Sequence, residues 1–316
     1  MERNYLILAY YTFTPILDPN LEVELHKAFF QDKDVTCRIY ISEEGINGQM
    51  SALKKDAIAY MDWMHSRAGF ENVHFKLHEH HENVFPRCTV KYRKQLVALD
   101  EKVDIEQGGE HISPQKWKQF LENNDPKILL DVRNDYEWKI GHFKDAELPP
   151  CENFRDFNQY ALDLKQKVDP QKMPVMMYCT GGIRCELYSA VLKKHGFEKV
   201  YQLQGGVINY GLEVGSEHWL GKLFVFDDRL AIAISEDEAP IIGECYHCQK
   251  PNDHYYNCAN VNCNTLFICC SDCLKEYNGC CKQECTTSDR IRPFNEQCSH
   301  KPFKKWYHYL PSKKVK

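Results

Sequence analysis

Ten of the sixteen cysteines in this 316-residue chain fall between positions 245 and 285. The stretch reads "ECYHCQKPNDHYYNCANVNCNTLFICCSDCLKEYNGCCKQEC". It holds few aliphatic residues, so it cannot build a core without cross-links. Four short pairs lie within it: Cys245 with Cys248, Cys258 with Cys263, Cys270 with Cys273, and Cys281 with Cys285. A short pair lets two thiolates from one turn meet a tetrahedral ion, and two pairs complete a four-cysteine site. The expected content is two structural zinc ions. Pairing first with third and second with fourth gives an interleaved cross-brace, whereas sequential pairing gives two successive knuckles. Cys269 and Cys280 are spare and can substitute in register, and His247 and His254 are further candidate ligands. Disulfides and an iron–sulfur cluster are the competing readings, although the spacings do not match the ferredoxin runs.

The other six cysteines, Cys37, Cys88, Cys151, Cys179, Cys185 and Cys298, are scattered. A cluster plus individuals is not a disulfide framework, and in a chain of this length metal or catalysis is the better explanation. The opening "MERNYLILAYYTF" has a short, interrupted apolar run without a small-residue cleavage site, which is not the pattern of a signal peptide. No apolar stretch approaches the ~18 residues of a membrane span. The expectation is a soluble cytoplasmic protein. Its formal net charge of −5 means that any polyanion-binding surface must be local.

Hydrophobic periodicity divides the chain. Residues 1–99 carry strand, helix, strand, strand, helix and strand patterns in that order. Asp18 and Pro19 open the first helix as N-cap and first residue. That order is the one of a ferredoxin-like, or acylphosphatase-like, α+β sandwich. "CTVKYRKQLVAL" either extends its sheet or leaves it, and "EEGINGQ" reads as a hairpin turn built on Gly45, Asn47 and Gly48. Residues 100–111 are polar and glycine-bearing, and read as a linker. Over 112–225 the runs "KILLDV", "PVMMYC" and "VYQLQGG" are continuous apolar strands of a parallel sheet covered on both faces. Helical patterns alternate with them, including "CELYSAVLKKHG", so this is an α/β domain. The cysteine-rich segment occupies 240–290, and a basic, aromatic tail occupies 291–316.

In an open parallel sheet, ligands gather beyond the carboxyl ends of the strands. Cys179 ends such a strand within "YCTGGIRCE" and is followed by a glycine loop and a helix. Backbone N–H groups and the positive end of a helix then surround one point, which holds anions and lowers a thiol pKa. Gly181 and Gly182 let the chain curl, and Arg184 adds a fixed charge and a fork for an oxyanion. Thr180, Gly181, Gly182, Ile183 and Arg184 form an anion cradle, with Cys179 as a thiolate nucleophile. The plainer alternative is a small buried residue at a strand end.

"YCTGGIR" resembles the rhodanese active-site loop, Cys-x-x-Gly-x-Arg. "ILLDVRNDYEWKIGHFKDAELPP" resembles the second rhodanese signature, with Asp131, Arg133, Glu137, Gly141, His142, Ala146 and Pro149 in order, and "LQGGV" resembles the lead into the final helix. His142 is expected to be structural. The resemblance implies that the loop cysteine, here Cys179, can carry sulfur as a persulfide. Three features together, the N-terminal domain with "EEGING", the loop "YCTGGIRCE" and the cysteine-rich end, resemble the tRNA uridine hydroxylase family. That resemblance covers about residues 1–290. It implies 5-hydroxyuridine formation at the tRNA wobble position, with molecular oxygen as co-substrate and no organic cofactor evident. Thiolate addition at uridine carbon 6 would make carbon 5 nucleophilic towards oxygen. Two other functions compete: a persulfide sulfurtransferase, and a non-enzymatic zinc-stabilised binding module.

Cys185, just past the loop, is a possible redox partner for Cys179 or a packing residue. Two basic stretches could meet tRNA. One is "KYRKQ", with Lys91, Arg93 and Lys94. The other is the tail, with Lys304, Lys305 and Trp306 among six lysines and no acid over 300–316. The oligomeric state, the electron donor and the choice of tRNA have no signature in the sequence.

Overall fold

The computed structural model describes residues 4–99 and 101–292. Cys298, Lys304, Lys305 and Trp306 lie outside them, so the tail expectation has no structural counterpart.

The chain opens with β1 (Tyr5–Phe13), α1 (Pro19–Phe30), β2 (Val35–Ser42), β3 (Gly45–Leu53), α2 (Lys54–His65) and β4 (Lys76–His80). β5 (Cys88–Tyr92) then adds parallel to β2, giving a sheet of order β4-β1-β3-β2-β5. This is the ferredoxin-like arrangement with one extra strand. Asp18 caps α1 by accepting from the N–H groups of Asn20 and Leu21. One face of the sheet, with Leu8, Tyr10, Cys37, Ile39, Met50 and Ala52, packs against Val23 and Phe30 of α1 and Tyr60 and Met64 of α2. Strand alternation sends the intervening side chains to the opposite face.

The expected turn at "EEGINGQ" is shorter than the sequence suggests. The reversal ends at Gly45 (φ +144°), and Asn47 and Gly48 belong to β3, opposite Tyr40 and Ile39. Gly48 is needed there for room, because a Cβ would stand 2.3 Å from the Tyr10 ring.

The second sheet, of order β6-β10-β9-β7, is wholly parallel: β6 (Glu110–Ile112), β7 (Ile128–Asp131), β9 (Val175–Tyr178) and β10 (Val200–Leu203). Between β6 and β7 lies α3 (Pro114–Glu122). Between β7 and β9 come α4 (Asp135–Trp138), β8 (Gly141–Phe143) and α5 (Phe157–Lys167). α6 (Ile183–Lys194) and α7 (Gly206–Glu213) follow β9 and β10. Leu130, Val175 and Met177 face a core with Phe157, Leu164 and Val191, while Leu129, Met176 and Tyr178 face another with Trp117, Val207 and Tyr210. Two covered faces explain the unbroken apolar runs. The expected linker over 100–111 is partly structured, since β6 includes Glu110 and His111. An edge strand satisfies its backbone on one side and leaves polar side chains to solvent, so its sequence resembles a loop.

Short strands β11 (Trp219–Gly221), β12 (Leu223–Phe224) and β13 (Ala231–Ile232) lead to the cysteine-rich module, with β14 (Tyr255–Asn257), β15 (Leu266–Ile268) and α8 (Ser271–Glu276). Tyr255 and Ile268 pack on Ile140 and Phe224, and the Tyr255 hydroxyl donates to the Tyr136 carbonyl in α4. Among the described residues, no helix is long and apolar enough to cross a membrane.

Candidate active site and metal cages

Cys179 follows β9 directly and is fully buried. The loop after it turns at Gly182 (φ +104°), whose N–H donates to Cys179 Sγ at 3.1 Å. α6 begins at Ile183, two residues before the expected start, so Arg184 lies in its first turn. The far side of the loop is held by α7, where the N–H groups of Val207 and Ile208 donate to the carbonyls of Cys179 and Thr180 at 3.0 and 3.1 Å. Gly206 permits that approach. Its φ is +69°, and a Cβ there would stand 2.6 Å from the Cys179 carbonyl oxygen. The "LQGG" segment therefore serves as a clamp on the loop.

Burial opposes charge on Cys179. A hydrogen bond from the Cys185 thiol, the Arg184 charge and the N–H groups of Gly182 and Arg184 outweigh it, bringing the thiol down to about 5. Cys179 is therefore a thiolate at neutral pH. Cys185 moves the opposite way: burial, then the bond to Cys179, pushes it well above the usual thiol range. It is the proton donor of the pair.

Arg184 does not offer an open fork. Its guanidinium clasps buried Glu137, with Nη2 at 2.8 Å from Oε1 and Nη1 on Oε2. Thr180 joins them, donating from Oγ1 to Glu137 Oε1 at 3.1 Å. Burial works against the Glu137 carboxylate, but Arg184 holds it below its ordinary range. Arg184 therefore acts on Cys179 through its charge. Asp131 and Arg133 form a separate buried pair at 2.6 Å, and Arg133 also donates to the Gly141 carbonyl, which ties the second signature together. His142 bonds to the Phe143 carbonyl, lies in β8 paired with β11, and does not line the cavity over Cys179.

That cavity, about 380 Å³, lies between the two sheets and includes Cys179, Thr180, Gly181, Ile183 and Arg184. Its other wall is the helix-free face of the N-terminal sheet, with Tyr11, Arg38, Tyr40, Asn47, Gln49 and Lys76. Lys76 is only 6% exposed and donates from Nζ to the Gly181 carbonyl at 2.9 Å. Burial lowers its pKa to about 8, against the opposing pull of the Cys179 and Glu186 charges. Tyr11 donates to Glu186 Oε1 at 2.7 Å, and His111 Nε2 lies 3.0 Å from the same oxygen, so α6 is fastened to both domains. Of these N-terminal residues the sequence points only to Asn47, and to it as a turn residue of "EEGINGQ". Their one local signal is polar and aromatic side chains on alternate positions of the strands, which also describes a solvated face.

Of the basic candidates, Lys91 lies within β5, and Arg93 and Lys94 follow the strand, all exposed. The Arg93 guanidinium lies 5.0 Å from the centre of the Tyr40 ring, so this edge continues from the cavity rim.

In the cysteine-rich module, two sets of four thiols converge: Cys245, Cys248, Cys270 and Cys273, and Cys258, Cys263, Cys281 and Cys285. This is the interleaved arrangement. The Cys248 and Cys270 sulfurs are 3.7 Å apart and those of Cys263 and Cys281 3.6 Å, well beyond a disulfide bond of ~2.05 Å. The N–H of the third cysteine in each set donates to the first, at 3.4 Å in both cases. Cys269 and Cys280 belong to neither set and are buried in the module's core. Neither His247 nor His254 joins either set.

A buried thiolate on a strand–loop–helix turn defines a rhodanese-like domain, here roofed by an acylphosphatase-like one. Family models agree. The UPF0176 acylphosphatase like domain matches residues 5–96, the Rhodanese-like domain 113–212 and the Rhodanase C-terminal model 220–286. The chain is 60% identical over 309 residues to the tRNA uridine(34) hydroxylase of Protochlamydia amoebophila, covering 98% of this chain and 97% of that protein. It is 55% identical to the protein of the same name from Chlamydia pneumoniae, covering 96% and 94%. A crystal structure of a rhodanese-like domain protein from Staphylococcus aureus matches 33% of this chain and 94% of its own, at 23% identity and a TM-score of 0.28. The chain belongs to the tRNA uridine(34) hydroxylase family.

Proposed function

We propose that this protein hydroxylates the wobble uridine of tRNA at carbon 5, in the cytoplasm, with molecular oxygen as the source of the hydroxyl. The carrying observation is the Cys179 thiolate, held at low pKa against a cavity that both domains enclose. A uracil carbon 6 is an acceptor for such a nucleophile, and addition there makes carbon 5 electron-rich. Oxygen supplies one atom to carbon 5, and the other leaves as water with two protons and two electrons from an external reductant. Thr180, Gly181, Gly182 and Ile183 shape the cradle. Arg184, engaged by Glu137 at the cavity wall, supplies charge, and Cys185 donates to the thiolate.

The cysteine-rich module fits two structural zinc ions. A tetrahedral ion with Zn–S bonds of ~2.3 Å sets its sulfurs ~3.8 Å apart, close to the separations found. Cys245, Cys248, Cys270 and Cys273 would hold one, and Cys258, Cys263, Cys281 and Cys285 the other. Four thiolates leave no open position for chemistry. Lys91, Arg93 and Lys94, beside the cavity rim, are suited to tRNA phosphates.

The test is nucleoside mass spectrometry of tRNA from a deletion strain complemented with wild type or Cys179→Ser. Wild type is expected to restore 5-hydroxyuridine and Cys179→Ser to leave none. The modified nucleoside in the Cys179→Ser strain would refute the reading. A thiosulfate assay on purified protein tests the sulfurtransferase alternative.

A further inference from the structure

The wall of the cavity opposite Cys179 has its own chemistry. In the register of the N-terminal sheet, Lys76 faces Ala9, Ala9 faces Gln49, and Gln49 faces Arg38. One step along, Tyr11 faces Asn47, which faces Tyr40. Directly opposed residues share a sheet face, so these side chains form two adjacent rows above the loop. Among the described residues, the Asn47 and Gln49 amides and the Arg38 guanidinium have no side-chain hydrogen bond, although all three line the cavity. Lys76 is buried against the loop with no carboxylate in salt-bridge range among the described residues, and the charges answering it are the Cys179 thiolate first and the Glu186 carboxylate, beyond that range, second. Buried lysines are rare without a partner.

We infer that this sheet face is the uracil-binding wall, on which Asn47 and Gln49 read the imide edge of the base and Lys76 is a catalytic cation for its carbonyl oxygen. The proposal rests on the uridine-modifying reading above. A cavity of about 380 Å³ has the size for one extruded nucleoside, so the base must leave its stack to enter. An amide offers donor and acceptor side by side, complementary to N3–H and a neighbouring carbonyl. The Tyr11 and Tyr40 rings offer stacking surfaces, and Arg38 suits the adjoining phosphate.

The reacting step follows. The Cys179 sulfur forms a bond to carbon 6, the carbon 5–carbon 6 π pair moves to carbon 4–carbon 5, and the carbonyl pair settles on O4. Lys76 stabilises that oxyanion by hydrogen bond or proton donation. No oxidant or reductant takes part. Reversal after protonation at carbon 5 and loss of the original hydrogen returns uridine with its H5 exchanged for a solvent hydrogen.

The experiment incubates the full chain, without oxygen, with an unmodified tRNA transcript bearing uridine at the wobble position in heavy water. Deuterium at carbon 5 is read by nucleoside mass spectrometry. A parallel arm uses a transcript with 5-fluorouridine at that position and seeks a covalent protein–RNA band. Wild type is expected to exchange H5 and to trap. Lys76→Met, checked for a native thermal melt, should exchange at least about 100-fold more slowly, the cost of removing an oxyanion donor. Lys76→Arg should regain at least about tenfold of that loss by retaining the cation. Asn47→Ala and Gln49→Ala should raise KM for the transcript by about tenfold or more, with kcat less affected. Exchange by folded Lys76→Met within about threefold of wild type would overturn the role of Lys76. Wild type that hydroxylates in air yet neither exchanges nor traps would overturn the adduct alone. Wild type that fails to hydroxylate with oxygen and a reductant would overturn the underlying reading as well.

Discussion

Replacing Cys185 by alanine removes the side-chain hydrogen bond that helps keep Cys179 ionised. A hydrogen bond to a charged group contributes ~1.5–3 kcal/mol. One pKa unit corresponds to ~1.4 kcal/mol, so the Cys179 pKa should rise by ~1–2 units. From about 5 in the native protein, the midpoint moves to ~6–7. Cys185→Ser retains a donor of similar size and should stay near the native midpoint. A redox partner would behave differently, because serine cannot form a disulfide and would be as damaging as alanine. The assay is the pH dependence of iodoacetamide labelling at the Cys179 peptide, quantified by mass spectrometry, with a pH-jump control for protein integrity. Stability gives a second readout. Cys179 has a depressed folded pKa, so its contribution is complete above the unfolded value of 9.0 and is lost as pH falls to about 5. In Cys185→Ala that loss is complete at a higher pH. An alanine variant titrating at the native midpoint would refute the assignment of Cys185 as donor.

Glu137→Gln leaves the buried Arg184 charge without its carboxylate, and should cost ~3–5 kcal/mol in denaturant unfolding while impairing turnover. Gly206→Ala forces a Cβ to 2.6 Å from the Cys179 carbonyl at a positive φ. It should lower the melting temperature and activity together, by an amount equivalent to ~1–3 kcal/mol. Elemental analysis should find two zinc ions per chain, falling to one in Cys248→Ser. Strong chelation should expose the segment from β14 to α8 to protease before either sheet domain opens.

The N-terminal domain, the parallel sheet and the Cys179 loop were legible because their signals are local. Alternating residues in β1, β2 and β3 mark a half-covered sheet, and the unbroken apolar runs of β7, β9 and β10 mark a doubly covered one. "YCTGGIR" places thiol, glycines and charge within one turn of chain. Cysteine spacing named eight candidate ligands, yet left the interleaved and sequential pairings equal, since both use the same pairs. Where local signal was ambiguous, packing decided. Asn47 and Gly48 look like turn residues, and β6 looks like a linker, until neighbouring strands claim their backbones.

The sequence by itself pointed to Cys179 as the proposed nucleophile, because the groups that lower its pKa lie within six positions of it. Only the tertiary structure decided what faces it. Lys76, Gln49, Asn47 and Arg38 lie more than one hundred positions upstream, on strands whose local pattern equally suits a solvated surface. Glu137 sits 47 positions before the arginine it clasps, and its need for a partner arises only once both are buried. A distant contact leaves no periodicity in the chain. It comes into being when two sheets close on one cavity and burial makes every unpartnered polar group costly.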